Sequence, residues 1–120
     1  MRYAMLICGV EDEWAAMSAE MAAKEQDAMA EIYAFFERWE PQGKIANGGA
    51  ELESVRTAKT VRAGADGKPV VTDGPYLELK EVIGGVVFLE AENIDEAVAI
   101  AATWPLSGST SVEVRPVYER

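Results

Sequence analysis

The densest run of reactive side chains is Thr72-Asp73-Gly74-Pro75-Tyr76-Leu77-Glu78-Leu79-Lys80-Glu81. It brings an Asp at a turn, a phenol, two Glu and a Lys into ten residues. A carboxylate held among apolar aromatic groups has a raised pKa and can act as a general acid or base. That work would fall to Asp73 or Glu78, with Tyr76 donating a hydrogen bond to a developing oxyanion. The same stretch offers ligand contacts from Asp73, Gly74, Pro75, Tyr76 and Lys80. A structural role competes with the chemical one. Asp before Gly-Pro commonly closes its own turn by accepting from backbone N–H groups, and neighbouring Glu and Lys are usually solvated.

The chain has no His among its 120 residues, which excludes Ser-His and Cys-His nucleophilic pairs, imidazole metal sites and His-ligated haem. Cys8 stands alone, so neither an intrachain disulfide nor a thiolate zinc cage can form, and its apolar surroundings suit a buried small hydrophobe. Glu51 and Glu53 share one strand face, where a hard cation is conceivable, but two carboxylates make a poor site and suit a solvated face better. Gly48-Gly49 and Gly84-Gly85 precede no helix and fit neither a dinucleotide fingerprint nor a Walker loop. Neither a metal nor a cofactor is expected.

With 11 Lys+Arg against 21 Asp+Glu the net charge is −10, which opposes nucleic acid and anionic membranes. No segment approaches the roughly 18 apolar residues of a membrane span, and the start lacks the pattern of a signal peptide, so a cytoplasmic protein is expected. At 49% hydrophobic and 27% charged the composition is that of a globular protein, and the length suits one domain, residues 1–120.

Periodicity supplies the elements that would position these groups. Residues 3–8 form a short apolar run ended by Gly9 and Glu11-Asp12-Glu13, the pattern of a buried strand followed by charge suited to a helix start. Trp14 to Met17 suits one helical turn, and Ser18 is a candidate N-cap for a helix running to about Glu40. On that helix Met21, Ala28, Met29, Ile32, Phe35 or Phe36, and Trp39 share a face. Such an aromatic and Met stripe can line a pocket, though core packing is its commoner use. Residues 44–63 read as extended, broken by a bulge or loop at Asn47-Gly48-Gly49, and Asp66-Gly67 signals a hairpin to Val70-Val71-Thr72. Val82 to Leu89 is a second central strand. Asn93 caps a helix with Glu96 in a capping-box position, and Ile94, Ala97, Val98, Ala101 and Trp104 form its apolar face. Ser111 to Tyr118 is a last strand with Pro116 near its end.

The order is α+β, close to the ferredoxin-like antiparallel sheet with helices on one face. Helices on one face leave the other to water or to a second copy. Val86, Phe88, Val112 and Val114 make the sheet too apolar for two wet faces, so a homodimer packed sheet to sheet is expected.

From Asp73-Gly74-Pro75-Tyr76 outward, the chain resembles the YCII-related proteins of the DGPF-domain type, small bacterial proteins named for that tetrapeptide. The likeness extends to Arg2-Tyr3-Ala4-Met5-Leu6-Ile7, Thr57-Ala58-Lys59-Thr60-Val61-Arg62, Val71-Thr72 before the tetrapeptide, Lys80-Glu81, Gly84-Gly85, Asp95-Glu96-Ala97 and Val112-Glu113-Val114-Arg115-Pro116-Val117. Tyr76 stands for the family's Phe and adds a hydroxyl, while Leu77 replaces a small residue. The resemblance implies a dimeric α/β-barrel in which two sheets pack face to face, and a setting beside extracytoplasmic-function sigma factors, hence a sigma-factor-linked partner. Distant relatives carry a His–Asp pair that a chain without His cannot reproduce. Three functions follow as expectations: a homodimeric module binding a small molecule or partner near Asp73 to Lys80; a cofactor-free isomerase- or monooxygenase-like enzyme using Asp73 or Glu78 with Tyr76; and a sigma-factor-linked regulator.

Overall fold

A computed structural model describes residues 1–75 and 80–120. Strand β1 (Arg2–Gly9) alternates in burial, with Tyr3 and Met5 turned inward. It pairs antiparallel with β5 (Val82–Glu90) on one side and β6 (Ser111–Pro116) on the other, and β2 (Ile45–Glu51) pairs with β5. The sheet order is β2-β5-β1-β6. With the separate hairpin of β3 (Lys59–Ala63) and β4 (Pro69–Asp73) set aside, this is the ferredoxin-like order. The register places Tyr3 opposite Leu89 and Met5 opposite both Val87 and Val114, so one period-2 face builds the core.

Helices α1 (Glu11–Ala23), α2 (Ala30–Trp39) and α3 (Ile94–Ala101) lie on that face. Phe35 of α2 meets the Trp104 ring edge to face at 5.1 Å, and Ala97, Ile100 and Ala101 seat α3 on the strands. Trp39 donates its indole N–H to Thr103 Oγ1 at 2.9 Å, which ties α2 to the end of α3. Asn93 caps α3 as expected, accepting from Glu96 N–H at 2.9 Å. The Glu96 carboxylate reaches back to Glu92 N–H at 3.4 Å, one residue before the cap, and also takes Lys44 Nζ at 2.8 Å. The buried stripe of α3 is shifted from the expected one. Ile94 and Val98 stand exposed and Ile100 is buried, because α3 leans toward β1 and β6 rather than centring on Val98.

The single helix expected from Ser18 to Glu40 is two helices. Ser18 lies inside α1, which begins at Glu11. Glu25 takes the left-handed conformation at φ 58°, its N–H bonds Ala22 O at 3.0 Å, and Gln26 N–H bonds Met21 O at 2.8 Å. This Schellman ending places Glu where Gly normally sits. Asp27 Oδ1 then accepts from Met29 N–H at 2.9 Å and turns the chain into α2. A non-Gly residue in this region costs about 1 kcal/mol. Glu25→Gly is therefore expected to stabilise the protein by about 0.5–1 kcal/mol, raising Tm by about 2–4 °C. Calorimetry checks it, and a lowered Tm contradicts the assignment.

The bulge expected at Asn47-Gly48-Gly49 is present as a register shift between Ala46 and Ala50. A Cβ on Gly49 would lie 2.8 Å from Val86 O, so only Gly allows β2 to approach β5 there.

The molecule is thin and wide, with extents of 50 × 46 × 19 Å. Its radius of gyration is 16.7 Å, against about 13.6 Å for a compact chain of this length. Its accessible surface is 8364 Å², against about 6,300 Å² for a folded monomer of this mass.

Candidate functional site

Between α1, α2 and the sheet lies a cleft of about 630 Å³. Ile7, Gly84, Gly85 and Val87 form its floor. Trp14, Met17 and Met21 enter from α1, Met29, Ile32 and Phe36 from α2, and Trp104 closes one side. The floor is shaped by missing side chains. A Cβ on Gly9 would lie 2.5 Å from Trp14 Cζ2, and one on Gly84 would lie 2.6 Å from Cζ3, so the indole rests directly on backbone. The Trp14 indole N–H donates to Thr110 Oγ1 at 2.9 Å, and Val10 N–H donates to Ser109 Oγ at 2.9 Å. Beyond these anchors α1 has no buried residue, and its methionines face the cleft. Met side chains adapt to irregular apolar shapes, which suits a wall that must fit a guest.

The cleft's polar margin includes Glu31, Glu40 and Glu51, with the hydroxyls of Ser107 and Thr110, and no Lys or Arg is among the described lining residues. Such a site favours apolar ligands that are neutral or cationic and disfavours anions.

Glu11, at the start of α1, holds the segment leading from β2 toward the hairpin. Its carboxylate accepts from Ser54 Oγ at 2.8 Å and Val55 N–H at 3.0 Å, while Asp12 pairs with Arg56 at 3.2 Å. The Val55 N–H, then the Ser54 hydroxyl, favour the ionised form and hold the Glu11 pKa below its ordinary 4.5. A depressed carboxylate pKa contributes stability above the unfolded value, and that contribution is lost as pH falls through the folded value. Its contribution begins to fall away below about pH 4.5, and the clamp is expected to open as pH passes below the lowered folded pKa. Wild type should then lose Tm with acid more steeply than Glu11→Gln, and parallel Tm–pH curves would remove the clamp.

The Cys8 thiol is pushed up, first by burial and then by the charges of Glu113 and Glu81, so it stays protonated at neutral pH and fits the inert reading. Lys44 is raised and Glu96 lowered by their mutual hydrogen bond, in keeping with an ion pair.

The sequence-derived site stands elsewhere. Asp73 ends β4, opposite Lys59 in the hairpin register, and accepts from Lys59 Nζ with its own side chain exposed. Gly74, at φ 79°, donates its N–H to Ala58 O at 2.7 Å, and its carbonyl accepts from Thr60 Oγ1 at 2.7 Å. Pro75 and Lys80 are exposed. Asp73, Gly74 and Pro75 thus come together at the foot of the hairpin, and none of them lines the cleft. Tyr76 and Glu78 lie outside the described residues. The part of the cleft contributed by Met21, Ala28, Met29, Ile32 and Phe36 was visible in the sequence as the aromatic and Met stripe, while Ile7, Trp14, Met17 and Trp104 were not. Of that stripe Phe35 went to the core, while Met21, Met29, Ile32 and Phe36 also face the cavity.

The opposite face of the sheet carries Ala4, Leu6, Ala46, Val86 and Phe88, in register across β1, β5 and β2. Arg2 lies over the Phe88 ring at 4.7 Å and donates to Asn47 O at 2.9 Å, while its Nε finds no acceptor among the described residues. Val112 and Val114, expected to help make the sheet apolar on both sides, belong instead to the helix-covered face with Ile7 and Met5. Glu113 and Arg115 occupy the open face as an ion pair.

A ferredoxin-like sheet, helices on one face and an apolar cleft beneath them define a small α+β protein. The chain belongs to the YCII-related family, whose domain matches residues 1–120. An uncharacterized protein of Rhizobium meliloti (strain 1021) is 31% identical over 121 residues, covering 98% of this chain and 92% of its own.

Proposed function

We propose that the protein is a homodimeric binding module, two open sheet faces packed together as a dimeric α/β-barrel, with an apolar, neutral or cationic small molecule held in the cleft of each chain. The binding part rests on the cleft itself, which is large enough for a small organic ligand and walled by adaptable methionines. The dimer part is supported by the surface. The accessible surface of 8364 Å² exceeds the monomer expectation by about 2,000 Å², and the open face offers Leu6, Val86 and Phe88, each half-buried, with the Arg2 guanidinium over the Phe88 ring. A standard interface takes about 800 Å² from each partner, so the excess is ample. Asp73 is paired with Lys59 outside the cleft, so binding is favoured over acid–base chemistry at that carboxylate.

Nile red, a neutral apolar dye, is expected to bind at micromolar concentration. Anionic anilinonaphthalene sulfonate should bind about tenfold more weakly, a difference of about 1.4 kcal/mol. Ile32→Trp fills the cavity from α2 and should abolish Nile red binding while Tm stays near wild type. Unchanged dye binding in that variant would sink the cleft reading.

A further inference from the structure

The β3–β4 hairpin stands largely uncovered by the other described residues. Its register pairs Lys59 with Asp73, Val61 with Val71 and Ala63 with Pro69 on one face, and Thr60 with Thr72 and Arg62 with Val70 on the other. Beyond the ion pair at its foot, the first face is wholly apolar. Val61 is 64% exposed and Val71 58%. Every residue of β4 is exposed, and so is every residue of β3 except Thr60. The two strands form a sheet of their own, so among the described residues neither outer edge has a further strand partner. A lone two-stranded hairpin is marginal in water, and exposed apolar edges invite pairing with another chain.

Its root, by contrast, is fastened. Glu11 grips Ser54 and Val55, Asp12 holds Arg56, and Gly74 closes on Ala58 and Thr60. A fastened root with an uncovered blade describes an arm. Charge indicates where the arm would lie. From Lys59 to Asp73 it carries Lys59, Arg62 and Lys68 against Asp66 and Asp73, 3 − 2 = +1, so the rest of the chain is −10 − 1 = −11. Area points the same way. An excess of about 2,000 Å² is more than twice what a standard interface takes from one partner, so an open sheet face of standard size leaves surface still to be covered.

We infer that the β3–β4 hairpin is a dimerisation arm, whose face of Val61, Val71, Ala63 and Pro69 lies against the acidic body of a second copy and extends the interface of the paired sheets. The inference rests on the homodimer reading above. The arm's second face, with Thr60, Thr72 and Arg62, stays toward solvent in that arrangement.

Two measurements on the full chain test it. A photoreactive p-benzoylphenylalanine in place of Val61 should crosslink to a second copy, and the same group in place of Val70, on the other face, should not. Val61→Ser combined with Val71→Ser should weaken the dimer about a hundredfold by sedimentation, with the circular dichroism of wild type. A dimer of unchanged affinity, or a crosslink from Val61 only within its own chain, overturns the arm and leaves the paired sheets standing. A wild type that sediments as a single chain at micromolar concentration overturns the homodimer reading, and the arm with it.

Discussion

Phe88→Glu is expected to turn the proposed dimer into a folded monomer. Phe88 sits in the middle of β5 on the open face, in register with Ala4 of β1 and Ala46 of β2, so it lies near the centre of the surface proposed to meet a second copy. In the separate chain the substitution is mild. The new carboxylate would sit beside the Arg2 guanidinium, now 4.7 Å from the ring centre, and an exposed ion pair of that kind costs little. In the dimer two-fold symmetry buries two such carboxylates near the same axis. An uncompensated buried charge costs about 3–5 kcal/mol, so dissociation should strengthen by at least about a thousandfold. Light scattering at micromolar concentration should give 2 × 13.0 = 26.0 kDa for wild type and 13.0 kDa for the variant. A variant that keeps the doubled mass moves the interface off this face.

How far the sequence led follows from the kind of signal each element carries. The strands β1 and β5 were legible because Tyr3, Met5, Val87 and Leu89 form short apolar runs bounded by Gly or charge. The hairpin was legible from Asp66-Gly67, and the capping of α3 from Asn93. The break between α1 and α2 was not, since no Gly or Pro marks it. Glu25 accepts a left-handed conformation that its residue type disfavours, and tertiary packing of α2 through Phe35 outweighs that local cost. The sheet's two faces were also merged in the sequence. Alternation says that Val86 and Val87 point apart, yet it cannot say which of them Val112 and Val114 join until the register of β1 with β6 is known.

The candidate site divides in the same way. Local chemistry singled out Asp73, where charge and turn residues concentrate, and the structure finds there a hairpin foot held by Lys59 and Gly74. The cleft is assembled from residues far apart in the chain, Ile7, Trp14, Ile32, Val87 and Trp104, none of them reactive. No spacing rule gathers such a set. Its one sequence trace, the Met and aromatic stripe, is shared with ordinary core packing, and a side chain that faces a cavity obeys the same periodicity as one that fills a core. The glycines carried more information than their role as strand punctuation suggested. Gly9 and Gly84 mark where an indole lies flat on two strands.

Gly84→Ala is expected to be among the most damaging single-methyl changes in the protein, at about 2–4 kcal/mol. Its Cβ would stand 2.6 Å from Trp14 Cζ3 and 2.8 Å from Cη2, well inside contact distance. The ring cannot slide freely, because its N–H is bound to Thr110 Oγ1 at 2.9 Å and Gly9 lies under its other edge. Moving it breaks that bond, lifts the start of α1 and deforms the cleft wall at Trp14 and Met17. Backbone strain plays no part, since Gly84 is not among the residues of positive φ. Tm should fall by about 8–15 °C, measured in the Phe88→Glu background so that dissociation does not contribute. Nile red binding should weaken as well. The decisive comparison is a double-mutant cycle with Trp14→Leu, which removes the ring. In that background Gly84→Ala should cost less than about 1 kcal/mol, because the space it needs is already vacant. Equal costs with and without the indole would mean that Gly84 is required by the strand itself, and that the seat of Trp14, and with it the anchoring of α1 over the cleft, lies elsewhere.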